Sequence, residues 1–181
     1  MEELKEYALS DKDIQGVLET PTNIFTYPQL KNVRSIDEIF DPLGRAIMLY
    51  LTEAENVGHY ISLIKRGNII EFYDPYGHKA DTQQKGLGIP KNEDIRLNGG
   101  MPLLTDLAKK GGYTIKNNTS AIQEDAPDVN TCGRHAVLRT LMYDIPMDKY
   151  NRWLKRGESD KINTDDLIVG LTEHKLNNKY K

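Results

Sequence analysis

The chain carries one cysteine in 181 residues, Cys132, and four histidines. A lone thiol forms no intramolecular disulfide and builds no multi-thiolate metal site. It is either a small buried hydrophobe or a nucleophile. A nucleophile needs a histidine to take its proton, and a carboxylate or amide to orient that histidine. Around Cys132 the sequence reads Asn130-Thr131-Cys132-Gly133-Arg134, and Ala136, Val137 and Leu141 follow at helical spacing. This predicts a helix that opens at Cys132. The positive end of a helix dipole and its unpaired N–H groups favour a thiolate, and the same N–H groups can hold a developing oxyanion. Gly133 would leave room for a substrate carbonyl. A packing cysteine would sit more naturally in mid-helix among apolar neighbours.

The base and its orienting acid come from a predicted β-hairpin. GHYISLI (58–64) and IIEFYD (69–74) are β-prone runs around the turn KRGN (65–68). If Arg66-Gly67 is the two-residue turn, His59 and Asp74 lie directly opposite each other, with Cβ atoms about 4.5–5.5 Å apart. If the turn is Gly67-Asn68, Asp74 faces Ile61, and His59 is one diagonal step away on the same face. A three-residue loop would send Asp74 to the other face. A carboxylate on one imidazole nitrogen fixes the tautomer and steadies the imidazolium. The alternative is a surface cross-strand pair, with Asp74 present because Asp-Pro suits a turn. Of the other histidines, His135 lies one turn along the Cys132 helix and reads as structural or supporting. His78 sits in a polar loop and reads as solvated, and His174 lies near the C-terminus. No group of ligands has metal-site spacing, and Gly86-Leu87-Gly88 is only loop glycine.

These residues need a frame. Ser10 and Asp11 begin a short helix over 10–18, and RAIMLYL (45–51) has the length of a buried strand. The stretch 75–94 reads as one long loop, 102–110 as a helix started by Pro102, YTIKNN (113–118) as a strand, and 119–131 as a loop. Helices are predicted over 132–145, over 146–156 with Gly157 as the stop, and from a Thr164 cap onward. Strands in the middle and helices at both ends point to an α+β fold with a central, mostly antiparallel sheet. Hydrophobic residues at 38%, charged residues at 28% and a net charge of −3 describe a globular chain, read here as one domain over 1–181. No apolar run reaches the roughly 18 residues that span a bilayer. The acidic N-terminus lacks an apolar signal core, so the expected location is intracellular. The charge balance gives no general reason to expect nucleic acid as a partner, and Lys109, Lys110 and Lys116 read as a solvated face.

Taken in order, GHYISLI, IIEFYDPYG and NTCGRHAVLR resemble the adenain-type cysteine proteases. That group includes the adenovirus protease, proteases of large DNA viruses, virophages and Polinton elements, and more distantly the SUMO-deconjugating proteases. The resemblance spans about residues 10–145, with the helices of 146–174 beyond it. It implies a papain-like, adenain-like fold with the nucleophile at a helix N-terminus. The implied catalytic set is His59, Asp74 and Cys132, with Gln123 in the oxyanion hole and Gly58, Tyr60 and Gly133 at the substrate. Two departures stand out. Tyr60 follows the histidine where tryptophan is more usual. Gln123 precedes Cys132 by nine residues where six or seven are usual, with Asn118 and Asn130 the other nearby amides. Arg134 and Arg139 lean toward virophage- or Polinton-like members. The implied activity is an endopeptidase without metal or other cofactor that matures capsid or core precursors at glycine-containing sites. The implied location is the virion or the cytoplasm of an infected cell. A SUMO- or ubiquitin-like deconjugase and a non-catalytic assembly scaffold of the same fold are the alternatives. With one cysteine there is no second thiol to receive a disulfide-linked activating peptide.

Overall fold

The computed structural model describes residues 2–18, 20–159 and 161–177. Its centre is a five-stranded mixed sheet in sequence order: β1 (Asn23–Thr26), β2 (Arg45–Leu51), β3 (Gly58–Arg66), β4 (Ile69–Tyr73) and β5 (Thr114–Asn117). The pairs β2–β3 and β3–β4 are antiparallel, while β1–β2 and β4–β5 are parallel. The α+β class therefore holds, but the sheet is half parallel rather than mostly antiparallel. The edge strand β1, Asn23–Thr26, was not anticipated between Pro21 and Pro28. Its partly exposed NIFT lacks the apolar density of a central strand.

Strand β2 is buried on both faces, so the alternation that usually marks a strand is invisible in RAIMLYL. In space it is plain. Ala46, Met48 and Tyr50 join Ile61, Leu63, Ile70 and Phe72 on one face, with Leu104 and Ala108 of α5 (Leu103–Lys110) packed there. Ile47, Leu49, Leu51 and Tyr60 turn to the other face, against Ile14 and Val17 of α2 (Asp11–Val17) and Ala136 and Val137 of α6 (Cys132–Leu141). Tyr73 extends that second face toward α7 (Met147–Gly157) and α8 (Thr164–Asn177).

The long loop expected over 75–94 contains α3 (Gln83–Gly86) and the start of α4 (Lys91–Asn98). Helix α4 lacks an apolar stripe because its buried face is polar. The Tyr50 hydroxyl donates to Asp94 at 2.5 Å, and Asn98 Nδ2 donates to Leu51 O at 2.8 Å. The N-terminal α1 (Glu2–Glu6) was not anticipated; Lys5 ties it to Asp166 of α8 at 2.9 Å. The cap of α8 is Asn163 rather than Thr164. Asn163 Oδ1 accepts from the Asp166 N–H while the Asp166 carboxylate accepts from the Asn163 N–H. Two arginines on α6 are buried. Arg139 donates to Glu71 at 2.6 Å and Arg134 pairs with Glu173 at 3.0 Å, which ties the helix to β4 and to α8. No helix among the described residues is long and apolar enough to cross a membrane.

Candidate active site

The hairpin adopts the Gly67-Asn68 register. Arg66 pairs with Ile69 and Ser62 with Tyr73, so Asp74 would continue opposite Ile61. Gly67 takes φ +60°, the value a Gly-first two-residue turn requires. His59 and Asp74 are therefore diagonal rather than directly opposite, on one face of the sheet. His59 Nε2 lies 2.8 Å from Asp74 Oδ1, and both side chains are buried.

Asp74 is held from several sides. Oδ1 also accepts from the Tyr76 N–H at 2.8 Å, and Oδ2 accepts from Gln83 Nε2 at 3.1 Å. Asp74-Pro75-Tyr76-Gly77 is a β-turn closed by the Gly77 N–H on Asp74 O at 2.8 Å. Gly77 needs to be glycine. It sits at φ +76°, and a Cβ there would lie 2.8 Å from the Ala121 nitrogen. His78 is not solvated as expected. Its Nδ1 stands 3.5 Å from Asp74 Oδ2, and its ring lies where a Cβ on Gly86 would be.

The same turn positions the amide. Pro75 O accepts from the N–H groups of Ile122 and Gln123 at 2.8 and 3.0 Å. The extra residues between Gln123 and Cys132 are taken up in a turn, where the Val129 N–H donates to Ala126 O at 3.1 Å. The buried Gln123 side chain donates from Nε2 to the Tyr76 hydroxyl and to Val129 O, both at 3.2 Å. Tyr76 in turn stacks on His59, with ring centroids 4.8 Å apart and planes 18° apart. Asn118 has another task, donating to Asp74 O at 3.0 Å. Asn130 donates to Glu6 O at 3.1 Å.

Cys132 opens α6 as the spacing predicted. Thr131 precedes it in the N-cap position, yet makes no capping bond. Its hydroxyl donates instead to Asp165 of α8. The first-turn N–H groups are thus left without a side-chain cap. Asp165 also accepts from the Glu124 N–H at 2.8 Å and meets His135 Nε2 at 3.0 Å. His135 is fully buried and structural: with Asp165 it clamps the loop before Cys132 onto the helix after it.

His59 and Cys132 come from opposite faces of the sheet. His59 pairs with Tyr50 and shares its face, whereas α6 packs on the other face through Tyr60 and the Ser62–Thr140 hydroxyl contact at 3.0 Å. They meet past the end of the sheet, close enough for each to shift the other's titration. With Nε2 committed to Asp74, Nδ1 is the nitrogen left for the thiol.

The electrostatics follow from this geometry. Burial lowers the affinity of His59 for its proton, but the Asp74 charge and hydrogen bond outweigh it, with Cys132 adding to them. The net result raises His59 to about 10. Burial alone would raise Asp74, yet the His59 charge and the hydrogen bonds hold it far below the usual carboxylate range. For Cys132, burial opposes ionisation. The His59 contact and the backbone N–H groups of Tyr60 and Gly133 prevail, and the thiol falls below its ordinary value. Both shifts favour passage of the Cys132 proton to His59, with the Asp74 carboxylate behind the imidazole.

Three residues expected at the substrate have packing tasks. A Cβ on Gly58 would sit 2.1 Å from Tyr50 O, so glycine is required for β2 and β3 to approach. A Cβ on Gly133 would lie 3.2 and 3.3 Å from the Leu9 and Tyr60 side chains, so glycine lets α6 seat closely against them. Tyr60 is buried and donates to Asp11 at 2.6 Å. Sequence reasoning missed Tyr76, Gln83 and Asp165. Tyr76 lies inside the quoted YDPYG motif and was within reach, while Gln83 and Asp165 carry no local signature. Among the described residues no group of three or more His, Cys, Asp or Glu side chains is placed to hold a metal ion.

No family model matches the chain. It is 33% identical over 177 residues to a protein of Sputnik virophage named "Uncharacterized protein V9", an alignment that covers 95% of this chain and 99% of that one. At that identity and coverage the two share one fold throughout, and the chain belongs to the same family as this virophage protein.

Proposed function

We propose that the chain is a cysteine endopeptidase of the adenain type, with Cys132 as nucleophile, His59 as base and then acid, and Asp74 as the orienting carboxylate. One observation carries this. A buried carboxylate 2.8 Å from an imidazole, and a thiol that interacts with that imidazole, form a row that ends at an uncapped helix N-terminus. A structural cysteine has no use for such a row. The thiolate attacks a peptide carbonyl carbon. The S–C bond forms and the carbonyl π pair moves to oxygen, where the Cys132 N–H and the Gln123–Tyr76 side of the site face it. As the C–N bond breaks, the His59 imidazolium gives its proton to the departing amine. Water then adds to the thioester, passing a proton to His59, and the acid leaves as the thiolate reforms. Kinship with a virophage protein favours virion precursors, cut at glycine-containing sites, as substrates over modifier-protein conjugates.

The test is labelling by a glycine-terminated peptide carrying a thiol-reactive warhead, in wild type, Cys132→Ala and His59→Ala. Labelling that disappears in Cys132→Ala and falls at least tenfold in His59→Ala is expected. Equal labelling of wild type and His59→Ala removes the dyad. Co-expression with the capsid precursor separates enzyme from scaffold, because cleavage must stop in Cys132→Ala.

A further inference from the structure

Gln123 has two N–H protons, and both are used. One goes to Val129 O and one to the Tyr76 hydroxyl oxygen, each at 3.2 Å. The Val129 carbonyl accepts and does not donate, so it fixes which end of the amide faces it. Turning the amide over would set Gln123 Oε1 against that carbonyl. As placed, Oε1 is buried with no partner among the described residues and has no proton to give. The amide therefore offers nothing to a substrate oxyanion. The Tyr76 hydroxyl does. It receives the Gln123 hydrogen bond on its oxygen, which leaves its own proton for another acceptor, and no protein acceptor for that proton stands among the described residues. Its ring is fixed by the stack on His59 and its backbone by the Asp74 turn. After burial, the foremost influence on the hydroxyl is Cys132, and the group stays protonated, pushed up to about 12.

From this geometry we infer that Tyr76 is a catalytic residue, its O–H donating to the oxyanion together with the Cys132 N–H, while Gln123 is a positioning residue that aims the Tyr76 hydroxyl. The inference rests on the peptidase proposed above. In the step it serves, the Cys132 sulfur bonds to the carbonyl carbon, the π pair goes to oxygen, and the Tyr76 hydrogen bond shortens without transfer of its proton. Receiving a hydrogen bond from Gln123 makes the phenol a stronger donor, so the two groups act in series.

The experiment compares two reagents on the same thiol. A glycine-terminated peptide aldehyde forms a tetrahedral adduct whose oxygen needs the hole, whereas iodoacetamide alkylates the thiolate and forms no oxyanion. Tyr76→Phe keeps the stacked ring. It should weaken the aldehyde, and lower kcat on a cleaved peptide with little change in KM, by about 10²–10³-fold. Its iodoacetamide rate should stay within about threefold of wild type, which also shows that the site has folded. Gln123→Ala should lose less, and the double variant no more than Tyr76→Phe alone. A 3-fluorotyrosine at 76, which keeps ring and hydroxyl and donates more strongly, should tighten the aldehyde. Full aldehyde affinity in Tyr76→Phe alongside a large loss in Gln123→Ala overturns the inference and leaves the peptidase standing. A wild type that cleaves no peptide and ignores the aldehyde, while alkylating normally, removes the peptidase and this inference together.

Discussion

Replacing Asp74 by asparagine separates the electrostatic role of the carboxylate from its role as a hydrogen-bond acceptor. Asn Oδ1 can still accept from His59 Nε2. Gln83 loses its bond to Oδ2 but keeps the Nε2 bond to Lys79 O, so one hydrogen bond is lost and the rest of the set stays. The fold should therefore survive. The charge is lost, however. His59 held at about 10 rather than 6.5 corresponds to about 5 kcal/mol of net preference for the imidazolium. Most of that comes from Asp74, because burial acts the other way. In the variant, burial stands almost alone and the imidazole is neutral at pH 7. The thiol then loses its cation. A thiol that returned only to its ordinary value of 9.0 would be about 1% ionised at pH 7, and burial makes the fraction smaller. Iodoacetamide alkylation at pH 7 should drop by about tenfold or more, and its acid limb should move up in pH. Peptide cleavage should fall further, by about 10⁴-fold, since the leaving amine also loses its acid. Measuring the alkylation rate between pH 4 and 10 decides it. An Asp74→Asn protein that alkylates within tenfold of wild type at pH 7, with its acid limb unmoved, would show that the ion pair does not depend on this carboxylate.

The same pair gives the fold a pH signature. His59 is raised, so its contribution is complete below about 6.5 and is lost as pH climbs through about 10. Asp74 is depressed, so its contribution is complete above about 4 and is lost as acid protonates it. The depressed Cys132 thiol acts the other way, its contribution growing as pH rises toward 9.0, so it offsets the His59 loss below that. Thermal melts should show their alkaline decline chiefly between about pH 9 and 10, and Asp74→Asn should flatten it. Arg139→Met should cost about 2–4 kcal/mol in urea unfolding by leaving the buried Glu71 carboxylate only the Met147 N–H and Arg66 at 3.6 Å, and adding Glu71→Leu should recover part of it, since the Met147 N–H then loses its acceptor. If the single variant costs under 1 kcal/mol, the pair is not the tie described. Gly58→Ala drives a Cβ into Tyr50 O and should cost more than about 4 kcal/mol, a loss that calorimetry would register.

How much the sequence disclosed depends on where each interaction lies. The hairpin was legible because its strands are adjacent in the chain and the turn chemistry is local. The choice between two registers was not, since Arg66-Gly67 and Gly67-Asn68 both suit a two-residue turn and both keep the same residues on each face. The Cys132 helix start was legible from the polar residues before it. The loss of its cap was not, because Thr131 is diverted by Asp165, 34 residues later. Strand β1 and helix α4 were missed for related reasons. One pairs in parallel at a polar edge, and the other buries Asp94 and Asn98 beside a single leucine, Leu97. Gln123 was placed in the right neighbourhood by its order relative to Cys132. Its hydrogen bonds depend on Tyr76 and Val129, which no spacing rule identifies.

The proposed base and nucleophile, His59 and Cys132, lie on opposite faces of the sheet, each beside a different hydrophobic core. His59 moves with the layer that includes Tyr50 and Ile61, and Cys132 moves with α6 and the layer that includes Tyr60 and Val137. The reactive pair thus works as a gauge of alignment between two halves. A slide of about 1 Å between the layers would break the thiol–imidazole contact while leaving both cores dry and every strand paired. Catalytic competence should accordingly fade with warming before the global melt begins. Cavity-forming substitutions in either layer, far from the site and unlike in chemistry, should converge on one kinetic fingerprint: a slower nucleophile in a protein that is still folded.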